Sequence, residues 1–264
     1  MGVSRRSMIA GGVGAVGGAA VGVAAEGAPK LFGPHRLPID GGYAPAGNPD
    51  VYSARGSVRC VYHVPTTEKL VALTFDDGPM PDWTPRVLAT LREVDAPATF
   101  FLIGEHLRAY PQLAKGGLYD GHEVGNHTWT HDDLAMMDRD AARTEMRRCH
   151  DQIVQTLGRA PKIMRPPWGH MAGSTLIAAD ELGYDVILWS QRMPENEYVH
   201  NPSGIVDRTV RDVRPGAIIL AHDTGPSDRL VTIANLAGIV NGLRAAGYKL
   251  VTVSQLLASA PAPV

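Results

Sequence analysis

Asp76 and Asp77 stand side by side after an apolar run, Val71-Ala72-Leu73-Thr74-Phe75, and ahead of Gly78-Pro79. Side chains alternate along a strand, but a turn at its end can aim two adjacent carboxylates at one pocket. One carboxylate then suits cation binding while the other accepts a proton; the plainer reading is an Asx turn capping a helix. Further along come His127-Thr128-Trp129-Thr130-His131. Two histidines at i and i+4 can reach one metal from a helical turn. Asp77, His127 and His131 together make a two-histidine, one-carboxylate set that leaves coordination positions open, as a catalytic metal requires. The twin-histidine zinc-protease pattern needs Glu directly after the first His; Thr128 stands there, so that chemistry is excluded.

Two further groups follow apolar runs. Arg165-Pro166-Pro167-Trp168-Gly169 carries consecutive prolines, which fix the backbone and remove donors. Arg165 suits a role holding a carboxylate in place, and the Trp168 N–H can meet a developing oxyanion; the alternative is a rigid turn with a surface arginine. Ile218-Ile219-Leu220-Ala221 delivers His222 at the end of a buried run, where a general acid or base belongs.

These residues need elements to hold them. Strand-like runs occur at Leu70–Phe75, Ala98–Ile103, Glu123–Gly125, Ile163–Arg165, Tyr184–Trp189, Ala217–Ala221 and Lys249–Val253. Helix-like stretches at Thr84–Val94, Asp138–Leu157, Ser174–Leu182, Ser203–Val213 and Thr232–Ala246 lie between them. Such alternation predicts parallel strands in an α/β barrel or open sheet. Seven strands make an incomplete or distorted barrel, and chemistry in such folds gathers at the C-terminal strand ends.

The chain has 264 residues, enough for one sizeable core, and a net charge of −2. There is no basic excess or run, which excludes nucleic acid as a partner. Residues 1–25 read as an export signal: Arg5-Arg6, an uncharged middle holding six glycines, and the small-residue exit Val23-Ala24-Ala25. The paired arginines resemble a twin-arginine signal, which brings in that export machinery and a secreted or cell-surface location. Removing Arg5 and Arg6 leaves 23 basic against 27 acidic residues, a net −4. The membrane is a partner only if the signal stays uncleaved. Residues 26–66, rich in Gly, Pro and Ala, read as a linker or an arm draped over the domain. Cys60 and Cys149 form no metal-type pair; one disulfide or two free thiols are both open.

Taken in order, Thr74-Phe75-Asp76-Asp77-Gly78-Pro79, His127-Thr-Trp-Thr-His131, Arg165-Pro-Pro-Trp-Gly169 and Leu220-Ala-His222 resemble the polysaccharide deacetylases with a NodB homology domain, carbohydrate esterase family 4. The resemblance implies a domain over residues 67–258, a tail at 259–264, and a distorted, incomplete (β/α) barrel of about seven parallel strands. It implies one divalent metal ion, usually zinc and sometimes cobalt, on Asp77, His127 and His131. It makes Asp76 the base, Arg165 its orienting partner and His222 the acid. Trp168 and Leu220 become substrate-binding residues, through an oxyanion N–H and the acetate pocket wall. The implied function is an exported, metal-dependent polysaccharide deacetylase acting on N-acetyl or O-acetyl groups of an acetylated polysaccharide. Two alternatives are a catalytically impaired carbohydrate-binding relative and a metal amidohydrolase of small amides. One segment departs from the family: an Asp-Trp ending is usual, with its Asp tethering the acid, but Trp189–Asn196 offers Glu195 and no Trp after it.

Overall fold

A computed structural model of the chain describes residues 57–260; the export signal, residues 26–56 of the arm and residues 261–264 of the tail lie outside the described residues. The strands are β1 (Cys60–Val61), β2 (Leu70–Asp76), β3 (Thr99–Leu102), β4 (Glu123–Asn126), β5 (Ile163–Met164), β6 (Asp185–Ile187), β7 (Gln191–Arg192), β8 (Ala217–His222) and β9 (Lys249–Leu250). They pair in parallel in the order β1-β6-β5-β4-β3-β2-β8-β7, with β9 on β2. The two ends of this order meet. The chain leaving β6 runs through Leu188-Trp189-Ser190 straight onto β8, where Ser190 N–H donates to Ile218 O at 3.1 Å. At the other end of the strands, Val64 N–H donates to Gly216 O at 3.0 Å. This is the distorted, incomplete (β/α) barrel that the strand–helix alternation and the motifs imply.

The helices are α1 (Thr84–Glu93), α2 (Gly104–Ala109), α3 (Arg139–Leu157), α4 (Gly173–Glu181), α5 (Gly204–Asp212), α6 (Leu230–Ala245) and α7 (Val253–Ala258). Four differences from the sequence reading have local causes. β1 and β7 bring the count to nine strands; each has two residues, too few to carry a periodicity. β1 lies in the segment read as an arm. α2 has six residues and no alternating pattern of its own. The last strand stops at Leu250 because Thr252 caps α7: its Oγ1 accepts from Gln255 N–H, and Gln255 returns the bond to the Thr252 N–H.

Alternation along each strand separates two cores. Val71, Leu73 and Phe75 of β2, Phe100 of β3 and Ala217, Ile219 and Ala221 of β8 face the helices. Ala72, Phe101, Ile163, Ile187 and Ile218 fill the barrel interior. Each such fully buried aliphatic or aromatic side chain contributes about 1.5–3 kcal/mol. Continuing the inward series toward the C-terminal strand ends gives Thr74 and Asp76 on β2, Arg165 after β5, and Leu220 and His222 on β8. The interior therefore turns polar where the strands end. Cys60 is exposed and Cys149 is buried on α3, and both are free thiols.

Candidate active site

Asp76 closes β2 and lies in register with His222, the last residue of β8, so both side chains rise from neighbouring positions on one face. Arg165 is fully buried, not a surface arginine. Its Nη1 donates to Asp76 Oδ1 at 2.7 Å and to Thr74 Oγ1 at 2.9 Å. Its Nε and Nη2 donate to the Ile187 and Leu188 carbonyls, and its guanidinium lies over the Phe101 ring at 4.1 Å. A buried guanidinium is tolerable only with its charge matched and its donors used. Asp76 is thus fixed through one oxygen, leaving Oδ2 3.7 Å from His127 Nε2.

Asp77 follows in the left-handed region, φ 77°, which swings its carboxylate out of the strand alternation and into the same pocket. Its Oδ1 lies 3.3 Å from His127 Nε2 and 3.2 Å from His131 Nε2. One donor atom from each of the three residues falls within 4.8 Å of the others. His127 Nδ1 lies 2.7 Å from the Arg165 carbonyl. A carbonyl only accepts, so Nδ1 holds a proton and Nε2 faces the pocket, the nitrogen that a metal would take in place of a second proton. Burial alone raises the Asp77 carboxyl, but the hydrogen bonds from His127 and His131 hold it far below the carboxylate range. The donor set fits a divalent cation.

The two histidines do not share a helical turn. Thr128 and His131 both have positive φ, 69° and 66°, and the segment is a folded loop. Asn126 Oδ1 accepts from Thr128 N–H, and Thr128 Oγ1 accepts from His131 N–H. Glu145 reaches in from α3, and its Oε2 accepts from Trp129 N–H, Thr130 N–H and the Thr130 hydroxyl.

Trp168 is 57% exposed, its ring edge-on to His131 with centroids 4.6 Å apart. The next two N–H groups, of Gly169 and His170, turn back to the Pro166 and Pro167 carbonyls. The Trp168 N–H donates to no acceptor among the described residues. Leu220 lies two residues before His222 on the same face of β8, nearly buried. Burial pulls the His222 imidazole down to about 4, against the pull of Asp76 in the other direction.

Glu195 does not tether His222. It is buried, and its Oε1 accepts from the Thr232 hydroxyl on α6 at 3.1 Å. Three residues that sequence reasoning passed over complete the surroundings. Glu145 organises the histidine loop. Asp223, fully buried, accepts from Thr84 Oγ1 and lies against Gly78, where a Cβ would sit 2.3 Å from Asp223 Oδ2. Arg229 Nη1 donates to Asp77 Oδ2 at 2.8 Å. The residue after His222 was visible as an acid on a strand end; Glu145 and Arg229 had no local signal, since each acts on a segment far away in sequence. A separate cleft of about 320 Å³, lined by Leu88, Leu91, Ala96 and His122 among others, opens near the starts of β3 and β4 and holds no comparable cluster.

Residues 63–187 match a family described as polysaccharide deacetylase. A peptidoglycan-N-acetylglucosamine deacetylase of Bacillus cereus is 38% identical over 204 residues, which cover 74% of this chain and 92% of that protein. The crystal structure of a peptidoglycan N-acetylglucosamine deacetylase in complex with 4-naphthalen-1-yl-N-oxidanyl-benzamide superposes with a TM-score of 0.71 at 29% identity, over 76% of this chain and 94% of that one. A family 4 carbohydrate esterase pseudoenzyme from Bacillus anthracis superposes with a TM-score of 0.70 at 26% identity, over 77% of this chain and 70% of that one.

Proposed function

Because this chain belongs to the polysaccharide deacetylase family, we propose that it is an exported, divalent-metal-dependent hydrolase of N-acetyl groups on a cell-wall glycan. The observation that carries the reading is the convergence of Asp77, His127 and His131, with Arg165-bound Asp76 beside them. Peptidoglycan is the first substrate to test, on the strength of the named activity of the Bacillus cereus relative. Export rests on Arg5-Arg6 and the apolar stretch behind them.

Asp77, His127 and His131 would hold the cation, zinc being the first choice for two imidazoles and a carboxylate. When bound, such a cation supplies Lewis acidity to a carbonyl oxygen and to water. Asp76, fixed at Oδ1 by Arg165, uses Oδ2 to take the proton from the water that attacks the acetyl carbon. The Trp168 N–H donates to the oxygen that gains charge, and Leu220 walls the acetyl methyl. His222 delivers a proton to the sugar nitrogen as the carbon–nitrogen bond breaks, releasing acetate and a free amine.

The experiment is acetate release from acetylated peptidoglycan, chitooligosaccharides and acetylated xylan by zinc-reconstituted protein, with an exhaustively chelated control. Release from N-acetylated glycans that vanishes on chelation is expected. Activity unchanged by chelation would end the metal reading. One observation favours a second reading, a carbohydrate-binding relative with impaired catalysis: Glu195 bonds Thr232 instead of His222, and burial pulls the His222 imidazole down to about 4 despite the charges of Asp76 and Asp77. Glycan binding by the metal-loaded protein with no acetate release from any substrate would select it.

A further inference from the structure

The two oxygens of Asp77 have different partners. Oδ1 faces the Nε2 atoms of His127 and His131. Oδ2 accepts from Arg229 Nη1, which also donates to the Thr224 carbonyl at 2.7 Å. Arg229 sits in the connection between β8 and α6, and its guanidinium lies across Gly225. A Cβ there would come 2.4 Å from Nη1, so the backbone approaches the guanidinium as closely as glycine alone permits. Glu195 is anchored to α6 through Thr232; burial raises its carboxyl above the ordinary value, with the Arg229 charge pulling the other way. The guanidinium is therefore held by its own loop, through the Thr224 carbonyl and Gly225, and it presents one N–H to one carboxylate oxygen.

A carboxylate can ligate a cation through one oxygen or both, and a hydrogen bond from a cationic donor takes a lone pair of the oxygen it meets and weakens that oxygen as a ligand. We propose that Arg229 is a positioning residue that keeps Asp77 a one-oxygen ligand, so that positions on the cation stay open to the acetyl oxygen and water. This rests on the metal reading above. The residue touches neither substrate nor cation; it acts through Asp77. Its charge also draws electron density from the carboxylate, so the cation stays more electrophilic than it would opposite an unpaired Asp.

The test reconstitutes metal-free protein with cobalt(II), whose visible ligand-field bands weaken as coordination rises above four. Affinity is read by competition with a chromophoric chelator. Arg229→Met keeps the length and removes every donor. It is expected to bind cobalt at least as tightly as the unaltered protein but with weaker visible bands, and to lose about 10–100-fold in deacetylation. Arg229→Lys, whose ammonium can still meet Oδ2, is expected to restore the bands in part. Unchanged bands and activity in Arg229→Met would overturn the proposal, as would loss of cobalt equal to that of Asp77→Ala. Failure of the unaltered protein to bind cobalt at all would instead remove the metal reading, and the proposal with it.

Discussion

Arg165 Nη1 meets Asp76 Oδ1 at 2.7 Å, with both side chains shut off from solvent. The pair splits the Asp76 carboxylate into an anchored oxygen and a working one. Asp76→Asn keeps an acceptor for Arg165 but loses the basic oxygen. Turnover should fall at least ~10²–10⁴-fold, the usual share of general acid–base help, while zinc stays bound. Arg165→Met strands a buried carboxylate and should cost about 3–5 kcal/mol in urea unfolding. Acetate release, zinc content and unfolding midpoint check the three statements. An Asp76→Asn protein as active as the unaltered one would remove the base assignment.

Metal binding should depend on pH through His127. Burial pulls this imidazole down, but Asp76, Asp77 and the Arg165 carbonyl outweigh it and hold the group above its ordinary 6.5 in the metal-free protein. A cation and a proton compete for Nε2, so binding near neutral pH must expel the proton. Zinc affinity is expected to fall as pH drops below neutrality. Calorimetry in two buffers of different ionisation heat measures the protons released; a release of zero from pH 6 to 7 would contradict the competition.

Asp223 links the site to stability. Burial raises its carboxyl to about 7, against the Thr84 hydrogen bond, and its Oδ1 has no hydrogen-bond partner among the described residues. The unfolded chain gives up this proton near 3.8 and the folded chain near 7. The group's contribution is therefore whole below pH 4 and lost as pH rises to 7, on the order of 4 kcal/mol at about 1.36 kcal/mol per unit. Asp223→Asn should keep the Thr84 contact and flatten that decline. Urea unfolding of the two chelated proteins between pH 4.5 and 7.5 makes the comparison, and parallel curves would refute it.

The parts of this protein that were legible in its sequence are those whose cause is local. The runs ending in Asp76 and His222 announce themselves by composition, and strand alternation then brings both residues to one face. The 19-residue α3 follows from its spacing and from Asp138, which caps it by accepting from Ala141 N–H. The His127–His131 spacing named the right residues by the wrong geometry, because positive φ at Thr128 and His131 leaves no trace in residue type. β7 exists only because β8 is there to receive it. Glu195, which the family resemblance offered as a stand-in for the Asp that tethers the acid, instead accepts from the Thr232 hydroxyl, a partner that only the packing of α6 reveals. Arg229 and Glu145 reach the site across long stretches of chain, and nothing within a few residues of either signals it.

Glu145 offers the sharpest separation of loop geometry from ligand chemistry. Trp129 N–H, Thr130 N–H and the Thr130 hydroxyl all converge on its Oε2, at 3.1, 2.8 and 2.9 Å. These donors lie between the two histidines, so the acceptor sets where His131 stands relative to His127 while binding no metal itself. Glu145→Ala orphans two backbone N–H groups, each worth about 1–3 kcal/mol when buried and unpaired. Melting temperature should drop, and zinc affinity should weaken about 10–100-fold, as for other partners that orient metal ligands. Glu145→Gln can place its carbonyl oxygen where Oε2 was, and should hold affinity near that of the unaltered protein. If Glu145→Ala bound zinc as tightly as the unaltered protein, the loop would not need the carboxylate. If Glu145→Gln fell as far as the alanine variant, its negative charge rather than its hydrogen bonds would be what the histidine loop uses.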